Sequence, residues 1–453
     1  VLSKEGQLLP ATGDVVIPLM LARTGSSWRV SGDLPPGSFT DQAQFDAAYR
    51  SADLFFSDRT ETRLVADPRW FFGSTITPTM LVSRLLAGPS PELAGAVGPN
   101  VGKGAQLHGA VSVSDDGQVS ISLTGLEGDD ARNRTVLAAE IVWTLESAGT
   151  SGTCLIRSDG SPLVADHQSG WRTADVKSFD PNPDTAAASV LYLVQDGRLV
   201  RASSAGLVPV RGQLGGVDDL KSAAVSPAQD RVAVVASRGD RQVLLQGKYG
   251  EDAAEVITGA SISPPSFGAD SDSGYAVVDG RPIRWVIGEQ GQVRTVDLDV
   301  SAVTAVNPAP ITSLKVSPDG ARVALIVGGK LLLAVLSTND RGMPSLTGVR
   351  MAAYTIDTPV YSAAWGGRSA VYVARAGDDG PVMRIPLSGA PAAALVSGNL
   401  KPPMRAIAAT SSTVYAADSR GVLELGATSD AADQYWINIA DSNAESLPVV
   451  PNS

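Results

Sequence analysis

Lys315-Val316-Ser317-Pro318-Asp319-Gly320-Ala321-Arg322-Val323-Ala324-Leu325-Ile326 reads as a strand, a Ser-Pro turn and a second strand. Proline fixes φ and lacks an N–H, so it ends the first strand and lets the chain reverse into the second. The pairing recurs. Ala224-Val225-Ser226-Pro227 precedes Arg231-Val232-Ala233-Val234-Val235, and Ser261-Ile262-Ser263-Pro264 precedes Gly274-Tyr275-Ala276-Val277-Val278. Lys177-Ser178-Phe179-Asp180-Pro181 stands in the same relation to Val190-Leu191-Tyr192-Leu193. Looser copies, Ser362-Ala363-Ala364-Trp365 and Ala406-Ile407-Ala408-Ala409-Thr410, precede Ala370-Val371-Tyr372-Val373 and Thr413-Val414-Tyr415-Ala416. Six copies at steps of 37 to 54 residues fit the period of four-stranded propeller blades. The spacing predicts an all-β propeller of about six blades over 169–453, or seven if residues before 175 or after 435 complete another.

Upstream, 49–168 reads as a small α+β domain. Ala52-Asp53-Leu54-Phe55-Phe56-Ser57 and Arg63-Leu64-Val65 make a hairpin. Thr77-Pro78 places an N-cap and a proline at the first turn of a helix with Met80, Leu81 and Leu85 on its buried face, ended by Gly88-Pro89. Val111-Ser112-Val113 and Val119-Ser120-Ile121-Ser122-Leu123 flank an Asp115-Asp116-Gly117 turn. A second helix runs from about Arg132 to Ser147, with Leu137, Ile141 and Leu145 at four-residue steps. Cys154-Leu155-Ile156-Arg157 then pairs across Ser158-Asp159-Gly160 with Ser161-Pro162-Leu163-Val164. Residues 1–48 carry a hairpin pattern, Val15 to Leu21 against Trp28-Arg29-Val30-Ser31, which cannot bury a core alone. They are expected to be the tail of a truncated N-terminal α+β domain, leading out through Gly32 to Gly37.

The 453 residues carry a net charge of -11 with a pI near 4.8. A duplex-binding surface is basic, so nucleic acid is not an expected partner. There are 28 Arg against 8 Lys in a chain rich in Ala, Gly and Val, as in products of GC-rich genomes. Cys154 is the lone cysteine, so no intrachain disulfide forms, and its apolar neighbours predict a buried strand position. No segment approaches the ~18 consecutive apolar residues of a transmembrane helix. The beginning Val1-Leu2-Ser3-Lys4 shows neither a leader nor an acylatable Cys.

Chemistry is scarce. His108 and His167 are the two histidines, far apart and in no zinc-type spacing, and no Gly-x-Ser-x-Gly elbow occurs. The pairs Asp115-Asp116, Asp129-Asp130, Asp218-Asp219 and Asp378-Asp379 sit in turns, where Asp bonds its own backbone. Asp270-Ser271-Asp272-Ser273-Gly274 has the outline of a calcium loop but lacks the distal glutamate and flanking helices. No phosphate loop or dinucleotide fingerprint appears. Trp70-Phe71-Phe72 suits core packing, and Trp285, Trp365 and Trp436 suit packing between blades. The sequence therefore assigns no catalytic, cofactor-binding or metal-ligating residue, requires no cofactor, and leaves partner-binding residues unassigned.

A resemblance sharpens this. Asp53-Leu54-Phe55-Phe56, the Leu85-Leu86-Ala87-Gly88-Pro89 helix end, Val119 to Leu123, Leu137 to Leu145 and Asp159-Gly160-Ser161-Pro162-Leu163 are similar in order to the GerMN (sporulation and germination) domain. GerMN-like domain, propeller and upstream fragment together resemble the actinobacterial LpqB lipoprotein family over nearly the full chain. The resemblance implies a non-enzymatic protein, lipid-anchored on the extracytoplasmic face of the cell membrane through an N-terminal cysteine absent from this chain. It implies binding to, and modulation of, the extracytoplasmic part of the sensor histidine kinase MtrB, with no family catalytic residues to carry over. In that reading the propeller presents loops from several blades as one wide face, and preferential binding to one kinase state shifts the balance. The alternative is a cell-wall glycan or peptide binder that uses the GerMN-like domain. A propeller hydrolase is disfavoured, because nothing supplies acid-base or metal apparatus.

Overall fold

The computed structural model describes residues 1–9, 18–32, 40–98, 102–181, 190–288, 290–339, 341–426 and 434–451. At Ser317 the repeat explains itself. The Ser317 N–H donates to the Arg322 carbonyl at 2.9 Å, and its Oγ accepts the Arg322 N–H at 2.9 Å. Ser226 closes on Arg231 in the same way, at 3.0 Å for both bonds. Proline stops the strand, but serine locks the reversal by satisfying a backbone donor that the turn would otherwise orphan. Ser317→Ala is expected to cost about 1–2 kcal/mol in chemical denaturation, the range for a buried hydrogen bond whose partner is left unmet.

These turns organise six four-stranded antiparallel sheets, so the propeller has six blades. Blades 2 to 6 span 220–259, 266–297, 311–351, 360–394 and 406–438, each laid out in chain order from the innermost strand outward. Blade 1 is built differently. Tyr192–Gln195, Arg198–Ser203 and Gly206–Pro209 form its outer three strands, and Leu447–Val449 supplies the innermost, with Tyr192 opposite Val449. The inner strands touch one another all round, from Leu447–Val449 through blades 2 to 6 and back, so the ring is closed. Radial closure leaves only short, protected inner edges at the centre.

Two features of the repeat are corrected. Lys177 to Pro181 does not open blade 1: Thr173–Phe179 is a 3-10 helix whose Val176 is buried in the core of the α+β domain. Ser263-Pro264 is not the blade 3 turn either, since Ser263 pairs with Val277 partway along the inner strand. The counterpart of Ser317 is Gly268, whose N–H donates to the Ser273 carbonyl. Helix also persists beyond 170, at Gln213–Gly216 and Ser301–Val306. The three propeller tryptophans are buried as expected. Trp365 Nε1 donates across blades to the Lys315 carbonyl at 2.8 Å, Trp436 Nε1 donates to Val396, and Trp285 packs edge-on to Phe267.

The α+β domain follows its predicted elements. An exposed hairpin, β1 (Leu21–Thr24) and β2 (Ser27–Val30), precedes helix α1 (Gln42–Ala48). The expected first strand of that hairpin falls in part on 15–17, outside the described residues, as does most of the Gly32 to Gly37 stretch. Helix α1 runs directly into β3 (Tyr49–Ser57), which pairs antiparallel with β4 (Leu64–Phe72). Helix α2 (Pro78–Leu86) starts at Thr77, whose side chain accepts the Met80 N–H, with proline at the first position. Strands β5 (Gln106–Leu107), β6 (Ser112–Val113) and β7 (Val119–Thr124) lead into α3 (Ala131–Ser147), capped by Asp130. Strand β8 (Cys154–Ser158) then returns parallel to β7 and turns into β9 (Ser161–Pro162).

Candidate functional site: the joint between the two domains

The edge of β3 that β4 leaves unpaired faces α3. Glu140 Oε1 accepts the Ser57 N–H at 2.8 Å and Thr144 Oγ1 accepts the Phe55 N–H at 3.0 Å. Two polar side chains on a buried helix face thus stand in for a missing strand, which is why a glutamate is found there. Burial pushes its carboxyl up to about 7, against the pull of the Ser57 hydrogen bonds.

With β3 fixed in this way, the far side of β4 and the segment after α2 lie against the turns of blades 4 and 5. Arg322 comes from the blade 4 repeat and is buried. Its Nη2 donates to the Ala66 carbonyl of β4 at 2.7 Å, and its Nη1 lies 3.7 Å from Asp319. Beside it Asp67 pairs with Arg69 at 2.6 Å and accepts the Ser90 N–H, all three residues being buried. Glu92 accepts from Arg350 Nε of blade 4 at 3.0 Å. Trp70 Nε1 donates to the Ser388 carbonyl, between the last two strands of blade 5, at 2.7 Å, and Arg368 lies over the Phe55 ring. Ala321 and Val335 of blade 4 belong to the same apolar cluster as Leu93, Ala96 and Val97. Gly95 permits this approach, because a Cβ there would lie 2.9 Å from Ser337 Oγ.

Residues 1–9 run along the same seam. Glu5 and Lys4 carbonyls accept from Arg69 and Arg84, the Gly6 carbonyl accepts the Trp70 N–H, and Gln7 donates to Glu92. A Cβ on Gly389 of the propeller would come within 2.3 Å of the Leu8 carbonyl. The chain segment, β4 and blades 4 and 5 therefore pack as one body.

The residues singled out from sequence take structural places. Cys154 is buried in β8, with its thiol pushed up to about 11 by burial. His108 follows β5 and its N–H donates to Ser122, while His167 stacks on Trp171 at 3.6 Å. Asp270 accepts from Asp272, Ser273 N–H and Ser273 Oγ within its own turn. Phe71 is buried and Phe72 exposed, as alternation on β4 requires. Among the described residues no cluster of three or more His, Cys, Asp or Glu could hold a metal ion, and no helix is long and apolar enough to cross a membrane. The joint residues Arg322, Glu92 and Arg350 were missed by sequence reasoning. The signal available for Arg322 was an arginine five residues after the turn serine.

These features define a class: an α+β domain of the germination type seated on a six-bladed propeller. Residues 53–164 match the family described as sporulation and spore germination, and 197–451 match the lipoprotein LpqB β-propeller domain. Lipoprotein LpqB of Rhodococcus opacus (strain B4) is 34% identical over 473 residues, covering 99% of this chain and 79% of the relative. That of Mycobacterium tuberculosis (strain CDC 1551 / Oshkosh) is 34% identical over 442 residues, covering 94% and 74%. The chain belongs to the lipoprotein LpqB family, whose members are membrane-anchored lipoproteins. Among solved structures, TolB from Acinetobacter baumannii is similar over 61% of this chain and 70% of its own (TM-score 0.43, 13% identity). A chain of the nidogen/laminin complex is similar over 58% and 98% (TM-score 0.42, 9% identity).

Proposed function

We propose that this protein is a non-catalytic, lipid-anchored accessory on the extracytoplasmic face of the cell membrane. It binds the extracytoplasmic domain of a sensor histidine kinase of the MtrB type and biases that kinase toward one of its states. The joint is the observation that carries this reading. Buried hydrogen bonds and apolar contacts hold the α+β domain against blades 4 and 5, so surfaces of both domains keep a fixed relation and can meet one partner together. A pre-organised surface of this kind loses little freedom on association, and differential affinity for two kinase states is all that a shift in activity requires. Calorimetric titration of the kinase sensor domain with the full chain is expected to show a Kd of about 10 μM or tighter, roughly -7 kcal/mol. No heat and no retention in pull-down at ~100 μM would overturn the proposal.

A cell-wall glycan or peptide is the second reading, favoured by a recess of about 360 Å³ in the α+β domain. Phe56, Leu86, Pro89 and Leu137 line it together with Lys103 and Glu140, a mix of apolar surface and two charged groups suited to a small ligand. Tryptophan fluorescence during titration with purified wall fragments separates the two readings.

A further inference from the structure

A cleft of about 360 Å³ opens where the β3–β4 turn hangs over the inner turns of blades 3 and 4. The α+β domain contributes Asp58, Arg59 and Arg63, blade 3 contributes Asp270, Tyr275 and Arg284, and blade 4 contributes Asp319. Charges of the two signs are equal in number, but their hydrogen-bonding capacity is not. Asp58 already accepts from Thr60 Oγ1 and from the Thr62 and Arg63 N–H groups. Asp270 accepts three bonds from its own turn, and Asp319 accepts from Ser317 Oγ and the Ala321 N–H. The carboxylates are committed to shaping the walls.

The arginines are not so committed. Arg284 lies with its guanidinium 5.9 Å from the Tyr275 ring centroid, and its Nε is buried without a hydrogen-bond partner. That Nε lies beneath the surface, so the groups Arg284 offers to the cleft are the terminal N–H groups of the same guanidinium, for which the described residues supply no acceptor. Arg63 is exposed at the opposite wall, and Arg59 is held by one long 3.4 Å bond to the Gly95 carbonyl. Guanidinium forks on two walls of one cleft match the paired oxygens of a phosphate or carboxylate.

We propose that this interdomain cleft binds a small phosphate- or carboxylate-bearing ligand between Arg284 of the propeller and Arg59 and Arg63 of the α+β domain. The ligand's oxygens take the free N–H groups, and the aspartates fix the surrounding turns. Because the two walls belong to different domains, occupancy tightens the joint, independently of whether a kinase is the partner.

The test is calorimetric titration of the full chain, at low ionic strength, with inorganic phosphate, glycerol 3-phosphate and acetate in separate runs. Sodium chloride at matched ionic strength is the control. Saturable binding of at least one oxyanion is expected, weakened tenfold or more by Arg284→Met and several-fold by the exposed Arg63→Ala. Phosphate or glycerol phosphate alone marks a phosphate source, and acetate alone a carboxylate source. Arg63→Ala carries the test if Arg284→Met fails to fold. Heats no larger than chloride's for all three probes, or binding unchanged in the folded variants, would overturn the assignment.

Discussion

Replacing Arg322 with alanine is expected to cost about 3 kcal/mol, whereas Arg231→Ala, at the same position of the blade 2 repeat, costs about 0–1 kcal/mol. The two arginines share the sequence context Val-Ser-Pro-x-x-x-Arg-Val-Ala. They differ in what their guanidinium groups meet. Arg231 reaches Asp272, which is 67% exposed, at 3.2 Å; water replaces such a partner cheaply. Arg322 is buried with Asp319 and holds the Ala66 carbonyl of the other domain. Its removal strands a buried carboxylate and a buried carbonyl together. Thermal and urea denaturation of the two variants check the difference. Limited proteolysis of Arg322→Ala is expected to cut between the domains earlier than in the parent. Equal losses in the two variants would contradict the account of the joint.

Glu140→Gln is expected to remove a pH dependence of about 3 kcal/mol from the α+β domain. Burial raises the Glu140 carboxyl from 4.5 to about 7 in the folded protein. The folded state therefore holds this proton more tightly than the unfolded state does. The associated stability is present in full below about pH 4.5 and is lost as pH rises through about 7. Glutamine keeps an oxygen for the Ser57 N–H and cannot ionise, so the variant should match the parent near pH 4.5 and exceed its stability at pH 8. Amide hydrogen exchange of α3 at the two pH values reads this locally, which suits a protein of more than one cooperative unit. A parallel pH response in parent and variant would show that Glu140 is not the titrating group.

Much of the architecture was legible because local chemistry and tertiary fold agree. Thr77-Pro78 starts α2, the four-residue steps of Leu137, Ile141 and Leu145 mark the buried face of α3, and the Val-Ser-Pro turns set the blades. The blade 1 assignment failed because the inner strand there comes from the other end of the ring. Val449-Val450-Pro451 carries the same Val-x-Pro ending as Val225-Ser226-Pro227, but the β run it pairs with, Tyr192–Val194, lies far upstream of it. Ser263-Pro264 misled because glycine at 268 makes the real turn without a serine. The joint was hidden for a different reason. Pairs such as Glu92 with Arg350 are separated by 258 residues, and nothing in either local pattern distinguishes them from ordinary surface charges. The cleft arginines are equally silent in sequence, since only the fold reveals which guanidinium lacks an acceptor.

Pairing Tyr192–Val194 with Leu447–Val449 has a consequence for biosynthesis. A ribosome emits the first of these strands roughly 250 residues before its mate, so the nascent disc spends that whole interval with one raw edge. Such an edge invites pairing with the wrong chain. The circle closes only when Leu447–Val449 emerges, and pulling on that strand would unzip blade 1 before any other.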